Sequence, residues 1–150
     1  MKKFVLTVII IATVGVSAVK AQNYQKSVGV TIGPALGINA SAFLSTKSSI
    51  EAQFLYNVPS RAPMFTALYR YHMSLEENLG CYFGGGLNVG ATGAAKDYDT
   101  KFAFGVDPVV GVEYTFDQYP VAVAVDYAPA INIWGKCVWN QLSLKVKYIF

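Results

Sequence analysis

The sequence predicts an all-β fold: a closed, antiparallel, up-and-down transmembrane β-barrel of eight strands, preceded by a cleaved signal peptide. Three observations predict it. Apolar residues make up 53% of the 150 residues and charged residues only 14%, against roughly a quarter charged in ordinary soluble domains. Beyond the N-terminal segment, no apolar run reaches the ~18 residues of a membrane-spanning helix. Apolar and polar side chains instead alternate along most of the chain, which is the period of β-strands.

The N-terminal segment has the pattern of a secretory signal peptide. Lys2 and Lys3 precede a mostly apolar run over residues 4–19, and Val19-Lys20-Ala21 offers a cleavage site after Ala21. We therefore expect a signal peptide over residues 1–21 and one barrel domain over residues 22–150. An uncleaved membrane anchor is the alternative interpretation of the same run.

The net charge of +3 belongs to this segment. Cleavage would remove Lys2, Lys3 and Lys20, so nine of the twelve Lys and Arg residues would remain against nine Asp and Glu. The mature chain would then be neutral. Its composition therefore predicts no nucleic-acid partner.

The clearest alternation runs from Lys101 to Phe116, where one parity is aromatic or aliphatic and the other is mostly small or charged. This run is much longer than the roughly five or six residues of a globular strand and suits a tilted membrane strand. An even strand count would place both chain ends on one side. The alternative is that residues 27–44 form one strand, which would give seven strands. The eight predicted strands lie near residues 27–33, 37–44, 49–57, 63–73, 80–91, 101–116, 120–133 and 139–150.

The connections between these strands fall into two sets. The segments 45–48, 74–78 and 117–119 are short and polar, and we expect them on the periplasmic side. The segments 33–36, 57–61, 92–100 and 134–138 then face outward. Aromatic residues concentrate near both ends of the predicted strands, as in the two girdles of membrane barrels.

The polar parity of the strands carries most of the charged residues. Isolated buried charges are unfavourable, so we predict that these side chains pair across a lumen that side chains fill. An ion or proton path is the alternative, which the narrow cross-section of eight strands disfavours. Pro108 and Pro129 fall inside strands, so we also expect a bulge or local break near each. The predicted interior network comprises Glu51, Arg70, His72, Asp107, Glu113, Asp126, Lys145 and Lys147.

The sequence predicts no catalytic residue, metal site or cofactor. It has a single histidine, and Gly84-Gly85-Gly86 lacks the lysine and helix of a phosphate-binding loop. Cys81 and Cys137 are predicted at opposite ends of the barrel. They would be much farther apart than the roughly 4.4–6.8 Å between Cα atoms that a disulfide needs, so we predict two free thiols.

The last predicted strand resembles the assembly signal of outer-membrane barrels, with Leu144, Val146, Tyr148 and Phe150 on one parity. From Ser27 to Phe150 the chain resembles small eight-stranded outer-membrane barrels of the OmpA/OmpX type and an uncharacterised outer-membrane β-barrel family. This resemblance implies a Gram-negative outer membrane, contact with its lipid, and periplasmic chaperones and the barrel-assembly machinery during biogenesis. It implies no activity. The other segments that carry this resemblance are Tyr69–His72, Phe83–Gly86, Val106-Asp107, Gly111–Phe116 and Asp126–Ala130.

We therefore expect a non-enzymatic integral outer-membrane protein with a structural or surface-interaction role. One alternative is a lipid-modifying enzyme, because His72-Met73-Ser74 has the His-x-Ser spacing of outer-membrane lipid A deacylases. The other is a soluble secreted β-barrel that binds an apolar ligand inside. The direction of the apolar parity separates the membrane barrel from the soluble one, since it faces outward only in the former.

Overall fold

The computed structural model describes residues 25–58, 61–92, 101–135 and 137–150. The predicted signal peptide and most of the predicted loop at residues 92–100 lie outside this part of the chain. Within it, no helix is long and apolar enough to cross a membrane. The strands are β1 (Lys26–Ile32), β2 (Ala35–Phe43), β3 (Ser48–Asn57), β4 (Ala62–Ser74), β5 (Leu79–Thr92), β6 (Lys101–Thr115), β7 (Val121–Tyr127), β8 (Ile131–Trp134) and β9 (Leu142–Ile149).

The strands form one closed antiparallel barrel. Consecutive strands pair from β1 to β6, both β7 and β8 pair with β6, and β9 joins β7 to β1. Since β7 and β8 occupy one position in the wall, the barrel is eight-stranded, which confirms the predicted fold class. Residues 27–44 form two strands that separate at Gly33 and Pro34, so the seven-strand alternative is wrong.

The predicted strand at residues 120–133 is divided into β7 and β8, and this division confirms the local break that the sequence predicted near Pro129. Pro129 lies between β7 and β8. The pairs Val110↔Tyr127 and Val106↔Ile131 have the same register, and that register places Pro108 opposite Pro129. Because proline has no N–H to donate, the ladder is broken at this pair, and a separate register shift falls between Phe104 and Gly105. Pro108 stays in register with Gly85 on its other side, so the two predicted disruptions are a single shared break.

Two rims bound the barrel. The backbones of Lys26 and Phe150 exchange hydrogen bonds of 3.0 and 2.9 Å, and this terminal rim also carries the turns at residues 44–47, 75–78 and 116–120. The opposite rim carries the turn at residues 33–34, Gly135 and residues 137–141. The last strand begins at Leu142 rather than at the predicted residue 139, so β9 stops short of this rim.

The polarity of the wall is the reverse of that of a soluble protein. In β3, Ile50 and Phe54 are 47% and 53% exposed, whereas Glu51 and Gln53 are buried. Large apolar residues are thus outside and charged residues inside, although soluble domains bury the former and expose the latter. Further outward-facing exposed residues on other strands are Val30, Ile38, Phe65, Leu87, Val106, Val112, Val125 and Val146.

Candidate functional site

The centre of the lumen is built around one carboxylate. Glu51 on β3 accepts contacts from Arg70 on β4 at 2.8 Å, from Lys145 on β9 at 2.6 Å and from Lys147 at 3.3 Å. All four side chains are at most 1% exposed. The alternation of β3, β4 and β9 places these residues on the inward parity, and closure of the barrel brings the three strands around one point.

Two further acids complete this ion-pair network. The Lys145 Nζ atom lies 2.6 Å from Asp126 Oδ2, and the Lys147 Nζ atom lies 2.8 Å from Glu113 Oε2. The network thus contains three acids and three bases and is neutral. This balance matters because an uncompensated buried charge is unfavourable by several kcal/mol.

Neutral groups hold the network in place. The Tyr82 hydroxyl donates to Asp126 Oδ2 at 2.9 Å, and the Ser143 hydroxyl donates to Oδ1 of the same carboxylate at 2.6 Å. The Arg70 guanidinium lies over the Tyr82 ring, 4.9 Å from its centroid, at cation–π distance. Gly111 makes room for this ring, since a Cβ there would lie 2.7 Å from a Tyr82 ring carbon. Sequence reasoning missed Tyr82, although it stands on the inward parity between glycine-rich neighbours.

Two of the eight predicted interior residues lie outside the network. The His72 Nε2 atom is 2.8 Å from Ser49 Oγ, and the half-buried ring packs against Phe43 and Tyr82 at centroid distances of 4.7 and 5.3 Å. Asp107 is buried and accepts a hydrogen bond from Asn88. Among the described residues, no ion pair includes Asp107. The structure therefore brings six of the eight residues together.

The histidine is bonded to a serine other than the one that the motif suggested. Ser74, two residues after His72, is exposed at the terminal rim. Ser49, which contacts the histidine, is fully buried. The imidazole is thus hydrogen-bonded to Ser49 and not to the accessible Ser74, and the buried Ser49 is closed to a lipid substrate.

Apolar clusters occupy the lumen on both sides of the network. Near the opposite rim, Leu55 and Met64 pack with Ala35, Ala130 and the partly buried Val138. Near the terminal rim, Ala122 and Ile149 pack with the partly buried Phe43. Close-packed side chains leave little room for water or ions. Among the described residues, side chains thus lie across the lumen at its centre and near both rims.

The outer wall carries an almost continuous apolar surface with aromatic residues at both ends. Ring pairs near the terminal rim are Tyr71–Phe83 at 5.6 Å and Tyr148–Phe150 at 6.2 Å between centroids. Near the opposite rim, Trp134 packs against Phe104 at 6.2 Å. An aromatic belt at each end is the pattern selected by the two interfaces of a membrane.

The two cysteines are far apart in the barrel, as the sequence predicted. Cys81 is partly buried on β5 near the terminal rim, and Cys137 is exposed in the segment between β8 and β9. Both thiols are free. Within the described residues, no cluster of three His, Cys, Asp or Glu side chains is placed to hold a metal ion.

One solved structure resembles this barrel over most of its length. The chain matches the crystal structure of the N-terminal β-barrel domain of Pseudomonas aeruginosa OprF with a TM-score of 0.66 and 15% sequence identity, covering 86% of this chain and 98% of that domain. At this identity the likeness shows the fold alone, a closed eight-stranded barrel. No protein-family model matches the chain, and no curated protein sequence matches it.

Proposed function

We propose that this chain is an integral outer-membrane β-barrel protein of a Gram-negative cell, exported by a signal peptide cleaved after Ala21. Its role is structural or surface-interacting and not enzymatic. The observation that carries the proposal is the inverted polarity of the wall, which exposes large apolar residues and buries six ionised side chains in one neutral network.

An apolar exterior of this extent is favourable only against hydrocarbon. Soluble monomers rarely expose apolar patches larger than a few hundred Å², and each large apolar side chain left in water forgoes about 1.5–3 kcal/mol of transfer free energy. The closed ladder also satisfies backbone groups without help from water, as a bilayer core requires. Both features support a membrane location over a soluble secreted barrel.

The filled lumen supports a structural role over transport. The network and the two apolar clusters occupy the barrel from one rim to the other. An interior apolar ligand would have to displace paired charges, which are costly to separate. The soluble ligand-binding alternative therefore draws no support from the interior.

The last strand supports the proposed route of assembly. Leu144, Val146, Tyr148 and Phe150 all face outward, and β9 closes the barrel by pairing with β1. These four side chains are thus available to a partner before closure and to lipid afterwards. We propose them as the signal for the barrel-assembly machinery, with periplasmic chaperones holding the unfolded chain.

Cell fractionation tests the proposal. We expect the chain in the outer-membrane fraction, with faster gel mobility before boiling than after it, as a detergent-resistant barrel shows. A soluble periplasmic pool that migrates identically with and without boiling would contradict the proposal and favour the soluble barrel.

Lipid analysis tests the absence of enzymatic activity. Cells carrying His72→Ala or Ser74→Ala should have the same lipid A mass spectrum as cells carrying the unaltered protein, because neither residue shows the geometry of an exposed catalytic pair. Loss of a lipid A species in both variants, with the barrel still folded, would instead support the deacylase-like alternative.

A further inference from the structure

Asp107 is a buried acid that the ion-pair network does not neutralise. It lies on the inward parity of β6 and is 2% exposed, and no ion pair of the described residues includes it. The network balances its own three acids with three bases, so it has no surplus positive charge for a further acid. An uncompensated buried ion is unfavourable by several kcal/mol, and Asp107 therefore needs compensation from another source.

Apolar side chains separate Asp107 from Arg70. Leu68 on β4 stands between Thr66 and Arg70 on the inward parity. Val109 is the next inward residue of β6 after Asp107. Leu68 and Val109 are both buried and belong to one apolar cluster, so Asp107 lies in a separate polar layer of the lumen.

Two neutral polar side chains share this layer with Asp107. Asn88 on β5 donates its Nδ2 group to the Asp107 carboxylate, and the Thr66 hydroxyl lies beside the same carboxylate. Thr66 and Asn88 are direct cross-strand partners, and they are 2% and 1% exposed. We refer to Thr66, Asn88 and Asp107 as the Asp107 cluster.

The Asn88 amide presents a second oxygen to this cluster. Its Oδ1 atom is buried and has no hydrogen-bond partner among the described residues. The amide nitrogen and oxygen are bonded to one carbon, so the oxygen stays next to the carboxylate that the nitrogen contacts. Buried polar atoms nearly always have a partner, and Asn88 Oδ1 therefore indicates a ligand that interacts with oxygen lone pairs.

A small alkali cation accounts for both the charge and the amide oxygen. A water molecule would donate a hydrogen bond to Asn88 Oδ1, but it would leave the charge of Asp107 uncompensated. Carboxylate, amide and hydroxyl oxygens are ligands that hard cations prefer. A divalent ion beside a single carboxylate would leave one positive charge in excess, and within the described residues no three His, Cys, Asp or Glu side chains gather to hold such an ion.

We propose that the Asp107 cluster binds one alkali cation, sodium or potassium, inside the lumen. The protein ligands are the Asp107 carboxylate, Asn88 Oδ1 and the Thr66 hydroxyl oxygen, which join β4, β5 and β6 at one point. This inference goes beyond the proposed function and does not depend on it, because the site lies inside the barrel whatever surrounds the wall.

Equilibrium urea unfolding of the barrel in phosphatidylcholine vesicles tests the inference. It is measured in sodium chloride, potassium chloride and choline chloride at equal ionic strength. A ligand that binds only the folded state shifts unfolding by mass action. The unfolding equilibrium constant should therefore fall by up to about tenfold for each tenfold rise in the concentration of the bound cation. Choline, which is too large for a buried site, should not change this constant.

Matched variants identify the ligands. Asp107→Asn keeps the shape but removes the charge, and it should abolish the response to sodium and potassium. Asn88→Ala keeps the charge but removes the amide oxygen, so the response should begin at higher cation concentrations. Asp117→Asn, in an exposed turn of the terminal rim, should respond as the unaltered protein does. Heat-modifiable mobility shows that each variant is folded.

Three outcomes would overturn the inference. They are equal stability in the three salts, a response to sodium or potassium that persists in Asp107→Asn, and a stability that changes with pH but not with the salt and loses this dependence in Asp107→Asn. The last outcome would mean that a proton neutralises Asp107. None of these outcomes bears on the membrane location, which fractionation tests separately.

Discussion

At the scale of single residues, Glu51 is the centre of the interior. Three cations contact its carboxylate, and those cations reach two other acids, so the removal of one charge leaves the remaining ones unbalanced. The sequence placed all of these residues on the inward parity. It did not indicate which ones pair, because Glu51 and Lys145 are 94 residues apart and meet only when the barrel closes.

Replacing Glu51 should destabilise the barrel strongly. Glu51→Gln keeps the shape but leaves buried cations without their shared partner, and breaking a buried pair on one side costs about 3–5 kcal/mol. Urea unfolding in lipid vesicles, followed by fluorescence of Trp134 and Trp139, measures the change. The control is Glu76→Gln in an exposed turn, which should lie within about 0.5 kcal/mol of the unaltered protein. A similar stability for both variants would show that the network does not hold the barrel together.

Removing the Tyr82 hydroxyl should destabilise the barrel less than replacing Glu51, because it removes one hydrogen bond and no charge. Tyr82→Phe keeps the ring beneath Arg70 but removes the hydroxyl that donates to Asp126, and a hydrogen bond to a charged group contributes about 1.5–3 kcal/mol. The same unfolding measurement applies, with Tyr119→Phe at an exposed position as the control. If the Tyr82 variant were as stable as its control, Asp126 would not depend on this donor.

At the scale of strands, alternation predicted the elements well and their interruptions less well. The prediction for residues 101–116 differs from β6 by a single residue, because a long period-2 pattern has no competing interpretation. Pro129 indicated a disruption of the strand. How far the ladder is broken depends on Pro108, which lies opposite Pro129 on β6. The sequence of one strand does not show this register. Sequence analysis missed the apolar clusters near the rims. Leu55 and Met64 lie on the inward parity, which is polar at most other positions, although both side chains are apolar.

The interrupted strand should be locally less stable. β8 pairs with β6 on one side, and near it the described chain has only the bridge Ala130↔Val138 on the other, whereas β7 pairs on both sides. Amides of residues 131–134 should therefore exchange with deuterium faster than those of residues 122–126. Equal protection in the two segments would mean that the break at Pro129 does not loosen the wall.

A charged residue on the outer wall should destabilise the barrel more near the middle of the bilayer than near its surface. Val106→Lys puts an ammonium near the middle of β6 on the outer face and should cost about 2–4 kcal/mol, whereas Tyr119→Lys at the rim should cost about 0–1 kcal/mol. Unfolding in vesicles measures both. Equal costs at the two depths would contradict a membrane around the wall.

At the scale of the whole molecule, the barrel buries charged side chains at its centre and exposes large apolar side chains on its outer wall. The sequence predicted the closed barrel and its polarity because closure follows from strand number and alternation. The outward row of Ala40, Ala52 and Ala67 could not be predicted, since it requires the register of three strands. Fold and surface together, and no single motif, support the proposed membrane role.

Methyl NMR of the barrel in detergent micelles tests this polarity most directly. Val109 and Val112 lie three residues apart on β6, the first 3% exposed and the second 47% exposed. The methyl groups of Val112 and Val146 should show cross-relaxation with detergent acyl chains, and those of Val109 and Leu68 only with other protein protons. Acyl contacts at Val109 and Leu68, with Val112 and Val146 contacting protein alone, would contradict the account.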